Sequence, residues 1–300
     1  MGIPTYDNWR DQPRPVLGTP AEFAYDWDGM LKRLIKAGIG ATYHFLCVQP
    51  RIFLNAILRR PFRRLVILCY HNVRSGERRA FAWQMDELLR AGTPVDLDGT
   101  RADPREDLQV AVTFDDGYAE IGRNALPELA ERGIPSTIFV PSGNLGGRPM
   151  WNGGTGCGPG EDRIFTSEEL RDLAHPLVRV GSHSVSHADL TKLGTEEALR
   201  ELCRSKEELQ EILGTPVDLV AFPYGANTDH LADLSRSAGY RFGLTNEPEV
   251  MRPGRSGFLL GRIRVDPSDW KIEFRLKVRG AYEVFVPFQR WKKGIWRKAR

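Results

Sequence analysis

From residue 65 to about residue 265, short apolar runs alternate with helical patterns. That alternation constrains the fold more than any other feature of the chain. Leu65 to Tyr70 is apolar throughout, as a strand covered on both faces should be. Further strands are expected at 109–113, 136–140, 178–180, 217–222, 241–244 and 260–265. Helices are expected between them at 81–91, 119–132, 195–213 and 227–238, with a shorter one opening at Ser167. The 195–213 segment is the clearest: Ala198, Leu199, Leu202, Cys203, Leu209, Ile212 and Leu213 form one stripe, and Gly214 ends it. Strand and helix alternating this often, through short links, imply a parallel sheet. About seven strands over about 200 residues fit a closed or nearly closed barrel better than two small domains.

One segment interrupts the alternation. Eleven of the 20 residues from 141 to 160 are Gly or Pro, with Trp151 and Asn152 in the middle. An irregular loop is expected there, leaving the C-terminal end of a strand, where barrels carry their chemistry.

Three motifs stand at such strand ends. In TFDDG, Asp115 and Asp116 are adjacent carboxylates that repel unless a cation lies between them. In SHSVSH, His183 and His187 are four residues apart and face one centre if the chain makes a helical turn. Imidazoles suit Zn²⁺, with Fe²⁺, Co²⁺ and Ni²⁺ as competitors. Two His and one Asp leave an open coordination position, the catalytic rather than the structural pattern, and free the other Asp to act as a base. In FPYG, Pro223 fixes a turn and the Tyr224 N–H can point at a ligand as half of an oxyanion hole. A solvated acidic turn, a chance His pair and an ordinary strand exit are the bland alternatives for each motif alone.

In this order and at this spacing, TFDDG, SHSVSH and FPYG resemble the polysaccharide deacetylase family, carbohydrate esterase family 4, over about residues 65 to 270. The resemblance implies a distorted (β/α)7-type barrel and a metal-dependent hydrolase that removes acetyl groups from sugar chains, with Zn²⁺ the expected ion. It implies Asp115 as general base, Asp116, His183 and His187 as metal ligands, and the Tyr224 N–H as an oxyanion donor. Two departures stand out. The motif position that usually holds an Arg steadying the base is Ala221, and no His follows His230 to serve as the usual general acid. Arg262 or Arg264 is a candidate for the first role. For the second, His71 follows the first strand and reaches the site if first and last strands are neighbours. The Cys69, Tyr70, His71, Asn72 run resembles the branch that deacetylates poly-N-acetylglucosamine. His44, His175 and His230 read as structural.

The expected function is N-deacetylation of an amino-sugar glycan or glycolipid. An O-acetyl esterase, another C–N hydrolase on this fold and a non-catalytic sugar-binding barrel are the alternatives. The absence of GxSxG, a P-loop and strand–GxGxxG–helix disfavours serine hydrolases, NTPases and Rossmann enzymes.

The 300 residues carry a net charge of +3, unevenly. Residues 29–70 hold eight basic residues and no acid, and residues 271–300 hold ten basic residues against Glu273 and Glu283. The part between, 71–270, is −10. That pattern suits attachment to an anionic membrane by the ends and gives no uniform nucleic-acid surface. A division into an N-terminal extension at 1–62, a barrel at 63–270 and a basic aromatic segment at 271–300 is expected.

Leu31, Leu34 and Ile35 lie beside Lys32, Arg33 and Lys36, and Phe288, Trp291, Ile295 and Trp296 alternate with Arg290, Lys292, Lys293, Arg297 and Lys298. These are compositions of helices lying in the headgroup region. The uncharged run from Ala37 to Pro50 is 14 residues, short of the ~20 needed to span a bilayer. The polar start, MGIPTYDNWRDQPRP, lacks the apolar run of an export signal, and Tyr6 breaks a myristoylation motif at Gly2. A cytoplasmic protein, peripheral on the inner face of the membrane, is expected. The four scattered cysteines, Cys47, Cys69, Cys157 and Cys203, read as reduced thiols.

Overall fold

The computed structural model describes residues 27–58, 63–97, 107–149, 151, 163–173, 175–252 and 257–291. Cys157, Asn152, Ile295, Trp296 and the basic residues after Trp291 lie outside them, as does the start of the N-terminal extension.

The chain enters as a helical arm: α1 (Trp27–Tyr43), a π-helical turn (His44–Val48) and α2 (Gln49–Ile57). It then builds β1 (Arg64–Tyr70), α3 (Arg78–Ala91), β2 (Thr93–Pro94), β3 (Leu108–Phe114), α4 (Glu120–Asn124) and α5 (Leu126–Glu131). Next come β4 (Ser136–Val140), α6 (Ser167–Asp172), β5 (Val178–Ser182), α7 (Thr195–Leu213), β6 (Leu219–Ala221) and α8 (Asp229–Ser237). The last elements are β7 (Phe242–Leu244), β8 (Leu259–Leu260), β9 (Ile263–Arg264) and α9 (Lys271–Val278).

All strand pairings are parallel, in the order β8-β7-β6-β5-β4-β3-β1-β9, as a curled sheet with helices around it. Residues 259–264 form the closing stave. Their first half pairs with β7 (Gly243 with Leu259) and their second half with β1 (Leu68 with Ile263). The single strand expected at 260–265 is therefore two short ones. The chain changes partner across Gly261 and Arg262, where a Cβ on residue 261 would meet the Glu247 carbonyl oxygen at 2.6 Å. Counting that segment once, and setting aside β2 on the edge of β3, the barrel has seven staves among the described residues.

Period-2 alternation sorts the side chains. Val66, Leu68, Tyr70, Val110, Val112 and Phe114 point outward beneath the helices, while Ile67, Ala111, Phe139, Leu219, Ala221 and Leu244 fill the barrel. Gly181 leaves room for the Phe139 ring, which an added Cβ would meet at 2.5 Å. The helix expected at 119–132 is broken in two around Ala125. Pro127, in the first turn of α5, has no N–H to continue the ladder and crowds the preceding turn.

The arm packs on the C-terminal elements. Arg33 donates to Glu273 at 2.8 and 3.1 Å and to the Ser268 carbonyl at 3.0 Å. Gly40 lies against the Tyr282 ring, and Arg252 pairs with Glu283 through two 2.6 Å bonds. The free thiols among the described residues are Cys47, Cys69 and Cys203.

Candidate active site

The staves end in a cavity of about 430 Å³ whose lining includes His71, Asp115, Asp116, His183, His187 and Tyr224. Every site residue named from the sequence is at this one place. Asp115, 2% exposed, stands at the exit of β3. Arg262 reaches it from the closing stave with a bidentate pair, 2.6 Å to Oδ1 and 2.7 Å to Oδ2. The guanidinium is wholly buried and is further held by the Thr245 carbonyl at 3.2 Å and Asn246 Oδ1 at 3.1 Å. Burial pushes the Asp115 carboxyl up, but Arg262 and the His183 imidazole outweigh it and bring it down to about 2. Of the two arginines on the last stave, Arg262 is the one that meets Asp115; Arg264 lies exposed on the cavity rim.

The second unit is Asp116, His183 and His187, all buried. One ligand atom from each lies within 4.8 Å of the others. Asp116 Oδ1 is 3.1 Å from His187 Nε2 and 3.6 Å from His183 Nε2. His183 Nδ1 donates to the Ala221 carbonyl at 2.7 Å, which fixes the tautomer and leaves Nε2 as the electron-pair donor facing Asp116. That donor set fits a divalent ion such as Zn²⁺. Burial raises the Asp116 carboxyl, and its two imidazole partners more than reverse this, holding it well below the usual carboxylate range. His187 Nδ1 has no hydrogen-bond partner among the described residues. Its ring is held instead by the Trp151 indole, stacked at 4.1 Å and 17°, and by the edge of Tyr224 at 4.9 Å.

The two histidines do not converge through a helical turn, as their spacing suggests. The chain after β5 makes an irregular turn in which Ser184 (φ 64°) and His187 (φ 60°) are left-handed. Ser184 Oγ accepts from the His187 N–H at 3.1 Å, and Glu201 on α7 accepts from Val185 and Ser186 N–H, both at 2.9 Å. Asp116 (φ 68°) and Tyr224 (φ 60°) are left-handed too, and these four are the non-glycine residues with positive φ among the described ones. Each costs on the order of 1–3 kcal/mol, so backbone strain is concentrated where the three motifs meet.

His71 follows β1, next to the closing stave, as the pairing of Cys69 with Arg264 requires. Burial lowers its pKa ahead of the opposing pull of Asp115 and Asp116. In the FPYG turn, Gly225 N–H bonds to the Phe222 carbonyl and Ala226 N–H to the Pro223 carbonyl, while the Tyr224 side chain stands 56% exposed at the rim. His44 is buried in the arm beside Gln49, His175 accepts from Leu177 N–H, and His230 meets Thr195; none of the three lines the cavity.

The family described as polysaccharide deacetylase matches residues 102–243, the stretch that carries Asp115, Asp116, His183, His187 and Tyr224. The part of the barrel that carries the three motifs is similar to the polysaccharide deacetylase family. The chain is 25% identical over 216 residues to YxkH of Bacillus subtilis (strain 168), a protein provisionally named a polysaccharide deacetylase, covering 68% of this chain and 72% of the relative. It is 24% identical over 179 residues to the poly-β-1,6-N-acetyl-D-glucosamine N-deacetylase of Staphylococcus aureus (strain MSSA476), covering 56% of this chain and 57% of that relative's length. Among solved structures it resembles IcaB from Ammonifex degensii (TM-score 0.60, 28% identity, 72% of this chain and 97% of that one). It also shares the fold of BC0361, a polysaccharide deacetylase from Bacillus cereus (TM-score 0.58, 22% identity, 72% and 69%).

Three further residues support the site from outside the metal-ligand set. Cys69 donates its thiol to Asp115 Oδ2 at 3.3 Å, Glu201 holds the histidine turn, and Asn246 braces Arg262. Cys69 was accessible in principle, because it lies two residues before His71 on a strand. Glu201 and Asn246 had no sequence signal, since each reaches the site from a distant element.

Proposed function

We propose that this protein is a metal-dependent deacetylase that removes N-acetyl groups from an amino-sugar glycan. The observation that carries the reading is the juxtaposition of two differently wired carboxylates. Asp116 faces two imidazoles as a ligand set, while Asp115 beside it is tied to a buried arginine and kept out of that set. Asp116, His183 and His187 would hold the ion. Bound there, it supplies a Lewis acid that polarises the acetyl carbonyl and acidifies the attacking water.

The chain's own groups do the rest. Asp115, oriented by Arg262 and Cys69, takes the proton of the attacking water at a carboxylate oxygen. The Tyr224 N–H donates to the carbonyl oxygen as it gains charge. His71 protonates the departing amine. Its lowered pKa makes it a stronger acid, while shrinking the fraction that is protonated. The relative named for poly-β-1,6-N-acetyl-D-glucosamine supports a β-linked N-acetylglucosamine polymer as the substrate class.

The test pairs elemental analysis with acetate release from N-acetylated and O-acetylated glycans. Stoichiometric zinc and preference for the N-acetyl substrate are expected; release from O-acetyl esters alone would overturn the N-specific reading. His71→Ala should lose the basic limb of the pH–rate profile and spare a substrate with a good leaving group. Equal losses on amide and activated ester would give His71 a binding role instead.

A further inference from the structure

The arm has two apolar sides, and the fold uses one. Ala37, Gly40, His44 and Val48, spaced at helical intervals, are buried, with Gly40 lying against Tyr282. Leu34, Ile35, Phe45, Leu46, Phe53 and Ile57 are 52 to 71% exposed. A surface helix normally presents polar residues to water on the side away from its core, so a large exposed apolar face needs a partner. A second apolar exposure, Phe288 and Trp291, stands where the chain leaves the described residues.

The charges identify the partner. Within residues 27–57, Lys32, Arg33, Lys36 and Arg51 outnumber the one acid, Asp28, and Lys32, Lys36 and Arg51 are exposed. A two-fold pairing of arm with arm would set these like charges against each other. A negatively charged lipid surface satisfies both features at once, accepting the apolar side chains below the headgroups and the Lys and Arg ends among them. Among the described residues no helix is long and apolar enough to cross a membrane, which leaves the arm lying on the surface rather than spanning it.

We propose that the exposed face of the arm from α1 through α2 docks on an anionic lipid bilayer, in the plane of the headgroups. Docking also places the catalytic cavity. Arg33, near the start of the arm, binds the Ser268 carbonyl, two residues beyond the cavity-lining Asp266. The arm thus begins beside the barrel mouth, and a docked arm holds the mouth close to the surface. This inference does not depend on the identity of the substrate or on the metal.

The test is flotation of the full chain with vesicles of phosphatidylcholine alone or enriched in phosphatidylglycerol, at low and high salt. Binding to the anionic vesicles, weakened by salt, is expected. Leu46→Gln/Phe53→Gln should reduce bound protein at least about tenfold, and Lys36→Glu/Arg51→Glu should abolish the preference for anionic lipid. Equal binding to both vesicle types, or none to either, overturns the proposal. So does a wild-type dimer in sedimentation that the apolar variant converts to monomer without any vesicle binding, which would make a second copy the partner. Circular dichroism of each variant confirms folding. Acetate release from a soluble substrate separates the two proposals: an inactive protein that still floats leaves docking intact.

Discussion

The barrel mouth and the helical arm solve opposite problems. At the mouth, charged groups are buried and each meets an opposite partner: Asp115 has Arg262, and Asp116 has two imidazoles. On the arm, apolar groups are exposed and the packed side rests on small residues such as Ala37 and Gly40. Burying a charge is costly unless it is paired, so the mouth tolerates almost no change in composition. Exposing a Leu or Phe costs the fold little once the opposite side is packed, so the arm's outer face is free to be chosen for something other than stability. The contrast separates residues that must agree with one another from residues that await a partner.

The largest test of that contrast removes the ligand set. His183→Ala with His187→Ala should eliminate bound metal and acetate release while the barrel remains folded; one metal ion per chain in that variant would dissolve the proposed site. Asp115→Asn should keep the ion and lose roughly 10²–10⁴ in turnover, as for a removed general base.

Arg262→Met comes next, because it strands a buried carboxylate. A loss of about 3–5 kcal/mol is expected from denaturant unfolding at neutral pH. The sign with pH follows from the lowered Asp115 pKa of about 2. In the wild type, the pair's contribution is present above the unfolded value of about 3.9 and is lost as pH falls through the folded value. The gap between variant and wild type should therefore narrow in acid. A gap that stays constant from neutral pH to pH 3 would show that the pair is not its source.

Glu201→Gln weakens the support of the histidine turn without touching the ligands. Metal affinity should fall about 10–100-fold in a chelator competition, with stability lowered by about 1 kcal/mol. Smallest of all, Leu46→Gln or Phe53→Gln should change unfolding free energy by no more than about 0.5 kcal/mol, whereas Phe139→Ala inside the barrel should cost about 3–5 kcal/mol. An arm substitution as damaging as the barrel one would show that the exposed face is part of the core.

Much of the barrel was legible because its signals are local. Strand 136–140 and helix 195–213 coincide with β4 and α7, whose boundaries are marked by Gly133, Pro135 and Gly214. The three motifs were legible because each places its polar residues at a strand exit. The left-handed turn at Ser184 and His187 was not, since nothing in the spacing of two histidines distinguishes it from a helical turn. The division of the last strand was hidden for a related reason. Which neighbour a strand pairs with depends on closure of the sheet, and six apolar and basic residues in a row do not encode it. Arg262 stood among two candidates because it and Arg264, two residues apart, share one face of a single last strand; burial chose between them. Glu201 became visible only through partners 15 and 16 residues away.

The closing stave has a consequence in time. Asp115 and Arg262 are 147 residues apart, and ribosomes release the chain from its N-terminus. Six of the seven staves can therefore emerge while Asp115 still lacks its counter-charge. The half-built sheet must carry an unanswered carboxylate in its interior, or keep that edge open to water, until the segment around Gly261 is delivered. Competence is then gained in one late event rather than by degrees, and a nascent chain stalled just short of residue 259 should be extensively structured yet inert.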